Sequence, residues 1–388
     1  MRWLILFLSL MACASVQAEV VLHATYLRVE KPAVAVLSNL DPVPGDEGVA
    51  GAQLAQEDNA TTGRFLGHSY RLDVVDVPAG SDPLPAARDA LGVAPYLVID
   101  ADAETVTAIA DLPEARGAMV FSVSAAGREI RDVDCRANVF HTGVSYGMRA
   151  DALMQTLVAK RWSRMAMIVG PHPDDMAWAD ALEASAAKFG LSLVARKEWT
   201  ERADLRRTAS GEIAMFTQEF PDHDVLVVAD ETDDFARYVA FNGWLPRPVA
   251  GSEGLMAVGW APVVEQWGAA QLQGRFEELA GRSMRPLDYA AWAALRSLGE
   301  AMTRTGSADP GTLRAFILSD DFELAGFKGR PLSYRRWNGQ LRQPVPVVHT
   351  RALVAEAPLE GFLHSANELD SLGLDEPESA CTAFKVTE

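Results

Sequence analysis

Carboxylates and hydroxyls follow several apolar runs of this 388-residue sequence, at the points where predicted strands end. Ligands of open α/β sheets bind beside the carboxyl ends of the strands, so these side chains are the candidates for ligand contact. Four of the candidates follow strands in the first part of the chain, namely Asp100, Asp102, Ser122 and Ser124. A fifth candidate, Tyr146, begins a second series of predicted elements. The remaining candidates are Asp174, Asp175, Asp230 and Glu231.

The acidic candidates favour a cationic ligand. A hard cation takes six or more oxygen ligands, which carboxylates from two parts of the chain can supply, and an organic amine would suit them as well. We therefore interpret Asp100, Asp102, Asp174 and Asp230 as a hypothetical metal set. The serines would orient the ligand and Tyr146 would cover it. An aspartate before a helix is also a preferred N-cap, and this alternative stays open for each acid.

Other side chains with binding chemistry have simpler interpretations. Trp178, Tyr238 and Trp244 lie near the same predicted turns as Tyr146 and can stack on an apolar ligand, although aromatic residues at helical spacing are also typical of a core. Three further tryptophans are interpreted as packing residues, namely Trp267, Trp292 and Trp337. Three histidines have no zinc-ligand spacing, namely His141, His172 and His364.

Enzyme signatures are missing from the sequence. No Gly-x-Ser-x-Gly elbow, phosphate loop or dinucleotide glycine fingerprint follows a predicted strand. Two carboxylates in a cleft can do acid–base work, but no nucleophile lies beside a base. We therefore expect a protein that is not an enzyme and that holds no cofactor.

Short β-branched runs alternate with helical stretches, which indicates an α/β fold with largely parallel sheets. The predicted strands of a first series are Val20–Val29, Tyr70–Val77, Tyr96–Asp100 and Ala118–Val123, and its helices are 48–59, 83–91 and 104–112. A second series has strands Met165–Val169, Leu191–Lys197 and Val225–Ala229, with helices 147–160, 175–189, 206–220 and 232–242. The two series predict two doubly wound, Rossmann-like lobes.

The last third of the chain has a different pattern. Helices are predicted over 265–280, 288–303 and 312–318, followed by a hairpin of Leu332–Trp337 and Val345–Val354. Because helices and late strands follow both series, we expect the chain to cross between the lobes more than once. Beyond Pro358 the sequence is acidic and has little pattern.

The first eighteen residues predict export. A basic start, an apolar run of about fourteen residues and Val16-Gln17-Ala18 match a cleavable signal peptide, and the run is too short to span a bilayer. The alternatives are an uncleaved anchor and a lipoprotein acylated at Cys13. We expect no membrane insertion after cleavage. The two remaining cysteines, Cys135 and Cys381, would form a disulfide in an oxidising compartment or stay as buried thiols.

The formal net charge of −18 excludes nucleic acid as an expected partner, since it repels a polyanion. It favours cationic ligands, or it serves solubility alone. The apolar fraction of 49% is that of a soluble globular protein.

Several phrases together resemble the type-1 periplasmic solute-binding proteins of the branched-chain amino-acid receptor superfamily. The run from Phe140 to Trp199 resembles the second lobe of that family, and Gly48–Gly67 resembles its first helix. Four later phrases look like the subfamily found with pyrroloquinoline-quinone-dependent alcohol dehydrogenase systems: Trp267–Phe276, Asp288–Trp292, Phe327–Gly329 and Trp337–Pro344.

The resemblance implies two lobes joined by a three-segment hinge, which close on a small solute and deliver it to an inner-membrane ABC permease. It implies a monomer in the periplasm, and a lanthanide, calcium or alcohol-derived organic ligand. A sensory or partner-binding protein that uses the same cleft is the alternative. The expected lobes are residues 19–143 with about 250–335, and 144–249 with about 336–357, followed by a tail at 358–388.

Overall fold

The computed structural model describes residues 19–32, 42–200 and 205–385. The predicted signal peptide and the lipidation alternative at Cys13 lie outside this part of the chain. A first parallel sheet has the order β2-β1-β3-β4-β5. Its strands are β1 (Val20–Val29), β2 (His68–Val77), β3 (Tyr96–Asp100), β4 (Met119–Ser122) and β5 (Val139–His141), and the helices between them are α1 (Val49–Leu66), α2 (Leu84–Val93) and α3 (Ala103–Ala110).

A second parallel sheet follows, with the order β7-β6-β8-β9. Its elements in chain order are α4 (Tyr146–Ala159), β6 (Arg164–Val169), α5 (Pro173–Phe189), β7 (Ser192–Glu198), α6 (Leu205–Gln218), β8 (Val225–Ala229), α7 (Ala236–Val239) and β9 (Val249–Gly251). The predicted α/β fold with two doubly wound lobes is confirmed.

The inner strands of both sheets are buried on both faces, which explains why these strands are continuous apolar runs. In β3, Tyr96 and Val98 belong to one core cluster, and Leu97 and Ile99 belong to the cluster on the opposite face. Strand β6 divides its residues in the same alternating way between two clusters of the second lobe.

The last third of the chain contributes to both lobes. Its elements are β10 (Met256–Ala257), α8 (Ala269–Ala280), α9 (Pro286–Thr305), α10 (Pro310–Ile317), β11 (Leu324–Ala325), β12 (Pro331–Tyr334), β13 (Leu341–Arg342), β14 (Val345–His349) and β15 (Ala352–Ala357). Helices α8, α9 and α10 pack in the core of the first lobe. In contrast, Ala257, Val345 and Val347 lie in the core of the second.

The predicted hairpin of Leu332–Trp337 and Val345–Val354 is wrong. Strand β12 pairs with β11 and β13, whereas β14 pairs with β10 and β15. The two predicted strands therefore belong to different small sheets, because the chain between them crosses from one lobe to the other.

Two predicted helices begin later than expected, in both cases after a residue with positive φ. Helix α8 starts at Ala269 because Trp267 and Gly268 have φ values of 59° and 81°, which a right-handed helix cannot contain. The helix predicted over 232–242 is reduced to α7, since Asp233 has a φ of 58°.

Helix α1 is longer than its prediction and passes through Gly63. A Cβ at Gly63 would lie 2.6 Å from the Tyr70 ring, so the helix needs glycine to approach β2. The helix ends instead at Gly67, whose φ is 69°.

A buried polar network joins the three places where the chain crosses between the lobes. Gln340 donates to the carbonyls of His141 and Gly143 at the first crossing, at 3.2 Å each. At the second and third crossings Lys328 donates to the Gly259 carbonyl and to Gln343. Burial lowers the pKa of Lys328 to about 7. This hinge network includes residues of two of the subfamily phrases, Phe327–Gly329 and Trp337–Pro344.

Residues 359–385 of the tail pack against the body of the protein despite their weak sequence pattern. It contains two short 3-10 turns, Glu368–Ser371 and Glu376–Glu378. In the structure Cys381 forms a disulfide with Cys135, with 5.7 Å between their Cα atoms. Within the described residues, no helix combines the length and apolarity needed to cross a bilayer.

Candidate functional site

The turn after β3 forms part of the first lobe's edge. Asp102 is the N-cap of α3, and its carboxylate accepts a hydrogen bond of 2.8 Å from the Thr105 N–H. Asp100 makes no such cap. Burial raises the pKa of Asp100, although the neighbouring Ser124 hydroxyl and the charges of Lys31 and Arg28 oppose this effect. Asp102 therefore acts as a helix cap, which is the alternative to ligand binding. Asp100 is the better candidate for contact with a ligand.

The two serines after the next strand differ from one another. Ser124 is half-buried and its hydroxyl donates to the Ala101 carbonyl at 3.0 Å, which fixes the turn after β3. Ser122 is completely buried, and its hydroxyl has no hydrogen-bond partner among the residues that the structure describes. Only Ser124 is exposed enough to contact a solute in this conformation.

The first acids of the second lobe lie in the opening turn of α5. Asp174 is exposed, whereas Asp175 is fully buried. The Asp175 carboxylate accepts from the His172 N–H at 3.1 Å and from the Glu231 N–H at 2.6 Å. Burial raises the pKa of Asp175, and these two backbone donors oppose the rise. Asp175 therefore joins the turns after β6 and β8, and its prediction as a ligand contact is not supported.

Asp230 has a structural role as well. Only 2% of this residue is exposed, and its carboxylate accepts from the backbone N–H groups of Asp234, Phe235 and Ala236 at 3.0, 2.8 and 2.7 Å. Asp234 and Phe235 precede α7 and Ala236 is its first residue, and among the described residues no other side chain caps this helix. The carboxylate is thus engaged by the backbone, which is the capping alternative, and a metal ligand at this position stays a prediction.

Glu231 forms a paired contact with Arg149, a residue that sequence reasoning missed. Two hydrogen bonds of 2.6 and 3.0 Å join the carboxylate to the guanidinium, and Ser252 donates to the same carboxylate at 2.9 Å. Burial alone would raise the pKa of Glu231, but the charge and hydrogen bonds of Arg149 outweigh it and leave this pKa lowered.

Arg149 also packs on aromatic rings. Its guanidinium carbon lies 4.4 Å from the centre of the Trp178 ring and 5.7 Å from that of Tyr146. The two rings are tilted against each other, 5.8 Å apart. Trp178 is fully buried, in agreement with the core interpretation, whereas Tyr146 is half-buried at the start of α4. Burial raises the pKa of the Tyr146 phenol, so it is a neutral wall at physiological pH.

Lys31 connects the two lobes electrostatically. This residue follows β1, and its positive charge acts on Asp100 of the first lobe and on Glu231 of the second. The Tyr146 N–H also donates to the Ala126 carbonyl in the loop after β4 at 3.0 Å, so strand ends of both sheets border one region, which we call the cleft. It is defined by Lys31, Asp100, Ser124, Tyr146 and Glu231.

The remaining aromatic and histidine predictions lie outside the cleft. Tyr238 packs against a core cluster of the second lobe, and Trp244 is more than half exposed. His172 pairs with Asp234 at 2.9 Å, and His141 is buried in the hinge. Across residues 19–32, 42–200 and 205–385, no cluster of three or more His, Cys, Asp or Glu is arranged to hold a metal ion. The metal set of Asp100, Asp102, Asp174 and Asp230 is not assembled.

Comparison with known proteins relates this architecture to solute receptors. The branched-chain amino-acid ABC transporter periplasmic ligand-binding protein from Burkholderia xenovorans superposes with a TM-score of 0.72 at 16% identity, covering 94% of this chain and 100% of that one. The fold is that of the type-1 periplasmic binding proteins. No protein-family model and no curated protein matches the sequence.

Two further structures share the fold. An ABC transporter substrate-binding protein from Sphaerobacter thermophilus has a TM-score of 0.71 at 13% identity, covering 87% of this chain and 98% of its own. A solute-binding protein from R. palustris, determined in complex with benzoate, has a TM-score of 0.64 at 14% identity, covering 93% of this chain and 99% of its own. These neighbours are solute-binding proteins rather than enzymes.

Proposed function

We propose that this protein is the periplasmic solute-binding component of an ABC transporter and captures one small organic solute between its lobes. The observation that carries the proposal is that strand ends of both lobes meet at one edge, where the Tyr146 N–H at the start of α4 donates to the Ala126 carbonyl after β4 at 3.0 Å. In open α/β sheets ligands bind beside the strand ends, and a hinge between two lobes lets both sets of strand ends close on one ligand. The exported, soluble monomer expected from the sequence is part of the proposal, as is the inner-membrane permease.

The chemistry of the cleft favours an organic solute over a bare metal ion. Asp102 and Asp230 are occupied by backbone N–H groups, and Glu231 by Arg149, so few carboxylate oxygens are left for a cation. A half-buried aromatic wall at Tyr146 suits an apolar group of the ligand. Lys31, Asp100 and Ser124 would contact its polar groups.

Neighbouring proteins and the subfamily phrases narrow the ligand class. The R. palustris neighbour holds benzoate, and a neighbour from Desulfitobacterium hafniense holds Leu, so this fold accommodates small carboxylic acids. The phrases that resemble the quinone-dependent alcohol oxidation subfamily lead us to propose an acid derived from an alcohol. These phrases lie mainly in the hinge network and the first-lobe core, so they do not select the ligand through direct contact.

Thermal unfolding of the purified protein against a panel of solutes tests the proposal. The panel contains alcohol-derived acids, aromatic carboxylates and amino acids, with calcium and lanthanum ions in a separate series. A ligand at a hundred times its Kd adds about 2.7 kcal/mol to the stability, so we expect a rise in Tm of several degrees with one organic class.

Matched variants then locate the binding site. Lys31→Gln should weaken binding of an acidic solute by about tenfold, which corresponds to about 1.4 kcal/mol, because it removes the positive charge that would attract the carboxylate. Asp102→Asn should leave the affinity unchanged, because asparagine caps a helix as well as aspartate does. A rise in Tm with the metal ions alone would contradict the organic ligand. No rise with any solute would favour the sensory or partner-binding alternative.

A further inference from the structure

The C-terminal tail is anchored to both lobes. In the second lobe, Leu372 belongs to the hydrophobic core, and the Gly373 N–H donates to the buried Asp151 carboxylate of α4 at 2.7 Å. Lys188 of α5 pairs with Asp151 at 2.8 Å and donates to the Gly373 carbonyl at 3.3 Å. These contacts hold the tail to two helices of the second lobe.

The same tail then reaches the first lobe. The Ala380 N–H donates to Asp132 at 2.6 Å, and the next residue, Cys381, is bonded to Cys135. The Phe384 ring packs edge-on against Phe140 of β5, with 6.2 Å between ring centres. Since Asp132 and Cys135 lie between β4 and β5, the end of the tail is covalently part of the first lobe.

A buried arginine supports the middle of the tail. Arg335, which follows β12 and is 1% exposed, donates to the carbonyls of Leu372 and Leu374 at 2.6 and 3.1 Å. It also pairs with Asp370 at 3.0 Å, and Arg342 donates to the same carboxylate at 2.8 Å. The tail is therefore held on each side of the hinge and close to it.

We infer that residues 372–381, which we call the strap, form a fourth and covalently closed connection between the lobes, which restricts their rotation about the hinge. The segment from Gly373 to Cys381 cannot exceed about 29 Å when fully extended, so the disulfide sets an upper limit on the separation of the two anchors. The three hinge crossings alone set no such limit on the distance between the two anchors of the tail. The strap would thereby regulate the range of conformations that the proposed cleft explores without ligand.

Only the effect of the strap on solute exchange depends on the proposed function. The test of the strap itself needs no ligand. Spin labels carried by genetically encoded amino acids at the exposed Glu114 and Lys160 report the distance between the lobes by pulsed electron paramagnetic resonance. Lobes that are joined only by a hinge rotate about it more freely than lobes with a further connection. We therefore expect the double variant Cys135→Ser with Cys381→Ser to widen the distance distribution of the ligand-free protein at least 1.5-fold.

A second variant separates the connection from local effects of the disulfide. A recognition sequence for a site-specific protease replaces the mostly exposed residues 376–380, and the strap is cut after folding while Cys381 stays bonded to Cys135. The uncut form of this variant is its own control. Cutting should widen the distribution as much as the double substitution does.

Two outcomes would overturn the inference. One is an unchanged distribution in both the substituted and the cut protein. The other is widening in the double variant alone, which would assign the effect to the loop that carries Cys135. Neither readout depends on solute binding, so failure of the strap and failure of the proposed function are distinguishable.

Discussion

The turns after β3 and β8 occupy equivalent places in the two lobes, and each begins with an aspartate. Asp230 accepts three backbone N–H groups because the chain runs on for five residues before α7 begins. In the first lobe α3 begins sooner and Asp102 provides the cap, which leaves Asp100 without a capping role. Which aspartate can meet a ligand thus depends on where the next helix starts.

The residues that surround these two turns also differ between the lobes. Glu231 is held by Arg149 within the second lobe, whereas Asp100 has only the Ser124 hydroxyl and more distant positive charges to offset its burial. The second lobe therefore presents carboxylates that are already satisfied, and the first presents one that is destabilised in its charged form. The following three predictions test this difference.

The largest loss of stability is expected when the Arg149–Glu231 pair is broken. Glu231→Gln leaves the Arg149 guanidinium without its charge partner, and breaking a buried pair in this way costs roughly 3–5 kcal/mol. Because the pKa of Glu231 is lowered in the folded state, its stabilisation is present above the unfolded pKa and is lost as the pH falls through the folded one. Urea unfolding at pH 7 and pH 3.5 measures both effects.

The control for the pair is the double variant Arg149→Met with Glu231→Leu, which removes both charges and should recover part of the loss. If Glu231→Gln is as stable as the wild type at pH 7, the pair does not stabilise the second lobe.

A smaller loss is expected when the cap of α7 is removed. Asp230→Ala leaves three backbone N–H groups without their acceptor and should lower the free energy of unfolding by roughly 2–3 kcal/mol. Asp174→Ala, at an exposed position in the first turn of α5, should cost less than about 1 kcal/mol. Equal losses for the two variants in urea unfolding would contradict the structural role of Asp230.

The smallest expected change in stability is a gain, and it comes from replacing Asp100. Burial raises the pKa of Asp100, so the folded protein binds a proton there more readily than the unfolded chain, and this contribution to stability decreases as the pH rises through the folded pKa. Asp100→Asn should therefore stabilise the protein at neutral pH, by less than about 1.5 kcal/mol. The gain should disappear in unfolding experiments at pH 3, where both folded and unfolded aspartates are protonated. Destabilisation at pH 7 would show that the charged form has a partner.

Sequence reasoning located the buried strands well, because a parallel strand covered on both faces must be apolar throughout. Tyr96–Asp100 and Val225–Ala229 have the predicted bounds. Strands of two residues, such as Leu341–Arg342, are too short for any periodicity. Missing that strand, together with the crossing beside it, led to the wrong hairpin.

The candidate site was predicted only in outline. The rule of strand ends selected turns at the carboxyl ends of both sheets, but a carboxylate that caps a helix and one that faces a cleft have the same sequence signature. Arg149 could have been found, since it follows Tyr146 by one helical turn and shares its face. Lys31 could also have been found if the rule had been applied to β1. The interaction of Lys31 with Glu231 joins residues of two lobes, which no local pattern shows.

The late return of the chain to the first lobe has a consequence for biogenesis. All four strands of the second parallel sheet are complete by Gly251, whereas the first-lobe core still needs helices α8 to α10, which end at Ile317. A chain that is synthesised from its N-terminus thus carries the central sheet of its second lobe before its first lobe can bury β1. The second-lobe core also waits for Val345, Val347 and Leu372, so both lobes expose apolar surface until late in the chain and need protection from aggregation in that interval.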